Sequence, residues 1–169
     1  NFKHLSYPRI MKYARRNKKI SLRELAESTF LSFQGLSKYE AGIVNISTES
    51  FILLSNVLEI DINSFNYVNN NLENDLNDLY EALVFMYDSQ ANNLYNKIIT
   101  HIDYINLSDL YQKWSVYQFA YKIHFNLENE QDYIDKISNI SNYDISYLGL
   151  IYDYLAMCCL KNNKYNEAK

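Results

Sequence analysis

The chain has 169 residues, enough for one ordinary domain or for a small domain joined to the start of a larger one. One Pro and three Gly leave few sites for tight turns, which argues against a many-stranded sheet and sets the fold class as all-α. The net charge of −4 is unevenly spread: through Phe65 there are nine Lys and Arg against six Asp and Glu, or +3, whereas the remainder has seven against fourteen, or −7. The N-terminal part is therefore the candidate polyanion binder.

Cys158 and Cys159 are sequence neighbours with no other cysteine to join, so neither a disulfide framework nor zinc spacing exists. A reducing cytoplasm fits this best. No apolar run reaches membrane-spanning length, and no charged leader precedes an apolar core. The chain opens without Met and stops at Glu167-Ala168-Lys169, inside what reads as a helix start, so it reads as a fragment of a longer polypeptide.

From the N-terminus, the first element is a helix opened by Pro8, with Ile10, Met11 and Ala14 on one face and Arg9, Lys12, Arg15 and Arg16 elsewhere. Ser21-Leu22-Arg23-Glu24 is a capping box, in which hydroxyl and carboxylate each accept from the other residue's backbone amide; Leu22, Leu25 and Ala26 form the apolar stripe of this second, short helix. Ser32 caps a third helix running from Phe33 to Ala41 and ending at Gly42, a residue type suited to left-handed backbone. On it, Leu36 and Tyr39 face inward, while Gln34 and Lys38 lie four apart and project together from the other side. Gln can pair bidentately with adenine and Lys can donate to guanine, which is the chemistry a helix in the major groove requires. Ser32, Phe33 and Ser37 flank the pair; Phe33 either meets a thymine methyl or packs. Ser47 caps a fourth helix carrying Phe51, Leu54, Val57 and Leu58, and Ile60, Ile62 and Phe65 close the unit with a fifth helical turn.

From Tyr7 to Phe65 this pattern resembles the Xre or lambda-repressor-like helix-turn-helix family. The residues that carry the likeness are Arg15; Ser21, Leu25 and Ala26; Ser32, Leu36 and Ser37; Glu40 and Gly42; and Leu58. The resemblance implies that Gln34 and Lys38, with Phe33 and Ser37, contact bases of double-stranded DNA. It also implies a structural ion pair between Arg15 and Glu40, and phosphate contacts from Ser21, Arg23, Ser32 and the loop Gly42 to Asn45. Two positions depart from the pattern. Phe30 occupies the turn position that usually holds Gly, so either a bulky residue is forced to positive φ or the turn takes another geometry. Ile46 replaces a Pro. The stretches "LSKYEAG" and "NISTESF" make the chain most similar to the Rgg/GadR/MutR subgroup, whose members join the DNA-binding domain to a repeat-type helical domain that dimerises and binds a short signalling peptide. The subgroup likeness thus implies a peptide-responsive homodimer.

Asn69 to Asn71 read as a polar hinge, which separates a helix-turn-helix domain over 1–67 from a helical domain over 72–169. In the latter, Leu72, Leu76, Leu79, Leu83 and Met86 alternate at fours and threes, as do Leu94, Ile98, Ile102 and Ile105. Leu110, Trp114, Tyr117 and Tyr121 form a third stripe, read as core rather than as a ligand groove; Tyr133, Ile137 and Ile140 form a fourth, and Leu148, Ile151, Leu155 and Cys158 a fifth. A helix about every 18 residues makes a two-helix unit near the ~34 of tetratricopeptide repeats. "NNKYNEAK" resembles a junction between such helices, so the expected architecture is paired, tetratricopeptide-like helices truncated at the end. No residue is assigned to peptide binding.

Catalytic chemistry is not indicated. His4, His101 and His124 have no ligand spacing, the two cysteines read as small buried hydrophobes, and no Gly-rich phosphate loop occurs, so neither metal nor cofactor is expected. Glu73, Asp75, Asp78, Glu81 and Asp88 surround a Leu stripe and read as a solvated helix face. The leading reading is a cytoplasmic, non-enzymatic DNA-binding regulator; the rival is a repeat scaffold with a vestigial helix-turn-helix.

Overall fold

In a computed structural model of the chain, the described residues are 4–127, with Gly149 and Ala156 beyond them. Every regular element among these is helical: α1 (Tyr7–Asn17), α2 (Leu22–Thr29), α3 (Phe33–Glu40), α4 (Thr48–Leu58), α5 (Ile62–Asn70), α6 (Leu72–Val84), α7 (Asp88–Ile99), α8 (Ile102–Ile105) and α9 (Tyr111–His124). The described residues form two compact units, one from those up to Asn71 with Asp103–Asp109, the other from Leu72–Ile102 with 110–127.

Local chemistry explains where the helices of the first unit start. Pro8 occupies the first turn of α1, where its missing N–H leaves no bond unmade. Ser21 Oγ accepts from the Glu24 amide at 3.2 Å while Glu24 Oε2 accepts from the Ser21 amide at 2.6 Å, completing the capping box of α2. Ser32 Oγ accepts from the Gly35 amide at 3.0 Å and Ser47 Oγ from the Ser50 amide at 3.2 Å. Asp61 caps α5, with Oδ1 accepting from the amides of Asn63 and Ser64 at 2.9 and 3.3 Å.

The core of this unit is the apolar set Leu5, Ile10, Met11, Leu25, Leu36, Leu54, Leu58, Phe65 and Val68, all almost fully buried. Tyr7 fits its ring between Phe51 and Phe65, at centroid distances of 4.3 and 4.6 Å. The expected hinge at Asn69 is instead structured. Helix α5 continues to Asn70, and the Asn69 side chain grips the backbone of Leu5, accepting from its N–H at 2.8 Å and donating to its carbonyl at 3.2 Å. Asp103–Asp109 belongs to the same unit: the Asp61 amide donates to the Tyr104 hydroxyl at 2.6 Å, and the Asp109 amide donates to the His4 carbonyl at 3.1 Å.

In the second unit Leu72, Leu76, Leu79 and Leu83 form the buried stripe of α6. Met86 does not extend it; α6 stops at Val84, and Met86 lies in the following turn with a φ of 58° and 63% exposure. The second stripe is also cut, because the chain leaves the helix at Thr100, so Ile98 is buried while Leu94 and Ile102 are only half-buried. Leu110, Trp114, Tyr117 and Tyr121 are all buried, as core residues are. Rings of Tyr95 and Tyr121 stack at 3.7 Å, with Trp114 5.5 Å from Tyr95. The acidic set on α6 is not uniformly solvated either: Asp75 is 9% exposed and pairs with Lys97 at 2.7 Å. The stripes at Tyr133–Ile140 and Leu148–Cys158, the two cysteines and the "NNKYNEAK" junction lie outside the described residues.

Candidate nucleic-acid interface

Helices α2 and α3 are joined by the three residues Phe30 to Ser32. The link is short because α2 ends abruptly at Phe30, whose φ of 55° and ψ of 23° are left-handed. Of the two geometries open to this turn, the bulky residue takes the strained one, and its ring stands 96% exposed. Thr29 closes the end from inside, its hydroxyl donating to the Leu25 carbonyl at 2.6 Å.

Helix α3 is anchored by Leu36 and Tyr39, each 2% exposed. The Tyr39 hydroxyl is buried without a hydrogen-bond partner among the described residues, and that burial pushes its pKa upward. From the opposite side Ser32, Phe33, Gln34, Ser37 and Lys38 are exposed, and neither Gln34 nor Lys38 engages any described residue through its side chain. An amide and an ammonium one helical turn apart are thus left with donors and an acceptor satisfied by solvent alone.

The far end of α3 is fixed by an ion pair. Arg15 Nε and Nη2 donate to Glu40 Oε1 and Oε2 at 2.6 and 2.8 Å, and Nη1 donates to the Ile20 carbonyl at 2.9 Å. One guanidinium thereby joins the end of α1, the start of α2 and the end of α3. The side chains are 14% and 7% exposed, and the hydrogen bond to Glu40 raises the pKa of Arg15 further.

The residues expected at phosphates are all exposed, with different capacities. Ser21 has its amide committed to Glu24 and its oxygen to the cap, which leaves the hydroxyl proton as its donor. Ser32 is likewise a cap with a free hydroxyl proton. The Gly42 amide donates to the Tyr39 carbonyl at 2.8 Å, so Gly42 serves the loop through its φ of 73° and not as a free donor. Asn45 and Arg23 keep their side-chain donors. One relation escaped sequence reading: the Arg23 guanidinium lies over the Phe33 ring, 5.9 Å from its centroid, linking a phosphate-type cation to the start of α3. No periodicity reports a contact between residues on two helices. Among the described residues there is no cluster of His, Cys, Asp and Glu able to hold a metal ion, and no helix long and apolar enough to cross a membrane.

Two short helices set at a tight turn, the second with a polar outer face, define a helix-turn-helix unit. Residues 11–65 match the family described as Helix-turn-helix, whereas no curated protein and no solved structure matches the chain. The match places this unit in the Xre-like class and supports a DNA-binding transcriptional regulator.

Proposed function

We propose that the chain is a sequence-specific regulator that reads the major groove with Gln34 and Lys38, helped by Phe33 and Ser37. One observation carries this reading: both long polar side chains on the outer face of α3 are exposed and have no partner among the described residues. Arg23, Ser21, Ser32, Asn45 and the loop from Gly42 position the unit on phosphates, and the Arg15–Glu40 pair holds α3 at its working tilt. A helix this short, eight residues, reads only a few base pairs. A homodimer on a two-fold-symmetric site, acting in the cytoplasm, supplies the remaining specificity.

The likeness of "LSKYEAG" and "NISTESF" to the Rgg/GadR/MutR subgroup supports control by a short signalling peptide bound to a tetratricopeptide-like helical domain that begins at residue 72. The test is selection of bound duplexes from a random pool, expected to return a palindrome. Gln34→Ala or Lys38→Ala should then lose roughly 1–3 kcal/mol of discrimination at one position of each half-site. Equal binding of every duplex by parent and variants would defeat the proposal.

A further inference from the structure

The cations of the first unit are sorted by the structure into those with an internal task and those without one. Arg15 is held by Glu40, Lys18 by Glu59 at 2.7 Å, and Arg23 lies over Phe33. Among the described residues of this unit that leaves Lys38 on α3 and four cations on or just beyond α1: Arg9, Lys12, Arg16 and Lys19. At 100° per residue, Arg9, Lys12 and Arg16 fall within about 60° of one another, and their common direction is opposite that of Ile10, Met11 and Ala14. Arg9 and Arg16 are exposed and Lys12 is half-buried, while Ile10 and Met11 are in the core.

This face is costly to the isolated protein. Like charges at spacings of three and four repel, and Arg9 in the first turn opposes the helix dipole, although Arg16 in the last turn favours it. No acidic residue of the helix relieves either effect, because α1 (YPRIMKYARRN) contains none and has no acid in its first turn. An ordinary solvated face mixes both signs. A face of one sign with no ion-pair partner among the described residues is complementary to an anionic surface outside the chain.

We infer that the outward face of α1 binds the phosphodiester backbone of DNA flanking the base pairs read by α3. This rests on the reading of the first unit as a DNA-binding domain. Helix α1 leads through Lys19 into Ser21 and Arg23, so its cations adjoin in the chain the residues proposed to meet phosphate. Arg9 and Arg16 are separated by about 10 Å along the helix axis, which matches about three phosphate-to-phosphate steps at ~3.4 Å of duplex axis per strand. The regulator's footprint is therefore longer than its recognition sequence, and the added phosphate contacts carry affinity without base preference.

The experiment uses the full chain and two duplexes: the selected site alone, and the same site with about ten base pairs of arbitrary sequence on each side. The variant is R9Q/K12Q/R16Q. On the long duplex it is expected to bind at least tenfold more weakly at low salt. The slope of log affinity against log salt should fall by up to about 0.9 for each phosphate that the variant no longer neutralises. On the short duplex the two proteins should bind alike, with unchanged base preference. R9K/R16K should keep the parental slope, since a phosphate accepts a point charge from either residue, and an unaltered thermal midpoint excludes misfolding as the cause. Equal salt slopes for variant and parent on the long duplex would overturn the inference, as would an equal loss on both duplexes. So would binding of phosphatidylserine vesicles that the variant loses while its DNA slope stays parental. Failure of the parent reading is separable, because it appears as base preference insensitive to Gln34→Ala and Lys38→Ala, which the α1 variant does not touch.

Discussion

Replacing Arg15 by Met removes the side chain that ties the end of α1 to Glu40 at the end of α3 and to the Ile20 carbonyl ahead of α2, and the size of the effect follows from burial. The substitution keeps the aliphatic stem but strands the Glu40 carboxylate, which is 7% exposed, and frees the Ile20 carbonyl from its 2.9 Å bond. Removing one partner of a buried pair costs about 3–5 kcal/mol, and because Arg15 keeps 14% exposure the lower end applies, about 3 kcal/mol. A domain of this size has roughly 5–15 kcal/mol in all and shifts about 4–8 °C per kcal/mol. The thermal midpoint should therefore fall by roughly 12–24 °C. Removing the stranded charge as well, in R15M/E40L, should recover most of the loss, since two apolar side chains in place of a buried pair are often neutral. Urea unfolding followed by far-ultraviolet circular dichroism measures the cost, and amide hydrogen exchange in α1 and α3 assigns it to this unit. A loss below about 1 kcal/mol for Arg15→Met, or no recovery in the double variant, would refute the argument that this pair fixes the tilt of α3.

Phe30→Gly should stabilise the chain by about 0.5–1 kcal/mol, because it relieves a left-handed φ of 55° at a side chain that buries nothing; a lowered urea midpoint would contradict this. Ser21→Ala should cost about 1 kcal/mol by opening the capping box of α2, with faster amide exchange at Glu24 as the local readout. The same box makes α2 acid-sensitive: its hydrogen bonds to Ser21 hold the Glu24 carboxyl below its ordinary value of 4.5. This contribution is complete above that value and is lost as pH falls through the lower folded one. Exchange protection of the Ser21 amide should therefore decline on acidification in the parent and stay level in Glu24→Gln. Trp114, the single tryptophan, is 1% exposed, so its emission should be blue-shifted and poorly quenched by acrylamide, and Trp114→Ala should cost about 3–5 kcal/mol.

Much of the first unit can be read from the linear chain because its signals are local. Pro8, the Ser21–Glu24 box, Ser32 and Ser47 each act within four residues of where they stand, and each starts a helix where its chemistry requires. The outer face of α3 follows by elimination, since Leu36 and Tyr39 consume the inner one. At Asn69 and Asp75 the structure departs from the sequence expectation because the deciding partner is distant in sequence. Asn69 looks like hinge composition, yet it is ordered by Leu5, 64 residues away. Asp75 looks like one more surface carboxylate, yet Lys97 on another helix makes its burial tolerable. Met86 continues a perfect heptad-like spacing, but the chain turns at that point and periodicity cannot announce its own end.

Linear order suffices for the all-α class, the succession of the first five helices with the Pro8 start of α1 and the caps of α2 to α4, and the choice of which residues of α3 point outward. All are consequences of backbone bonding and helical period within a few residues. Folding in three dimensions was needed to settle that Phe30 accepts the left-handed turn, that Arg23 meets Phe33, and that Arg15 and Lys18 find counter-charges at the ends of α3 and α4 while Arg9, Lys12 and Arg16 find none among the described residues. Those outcomes depend on which side chains the packed helices bring within a few ångströms of one another, and distance in space is not a property of spacing in the chain.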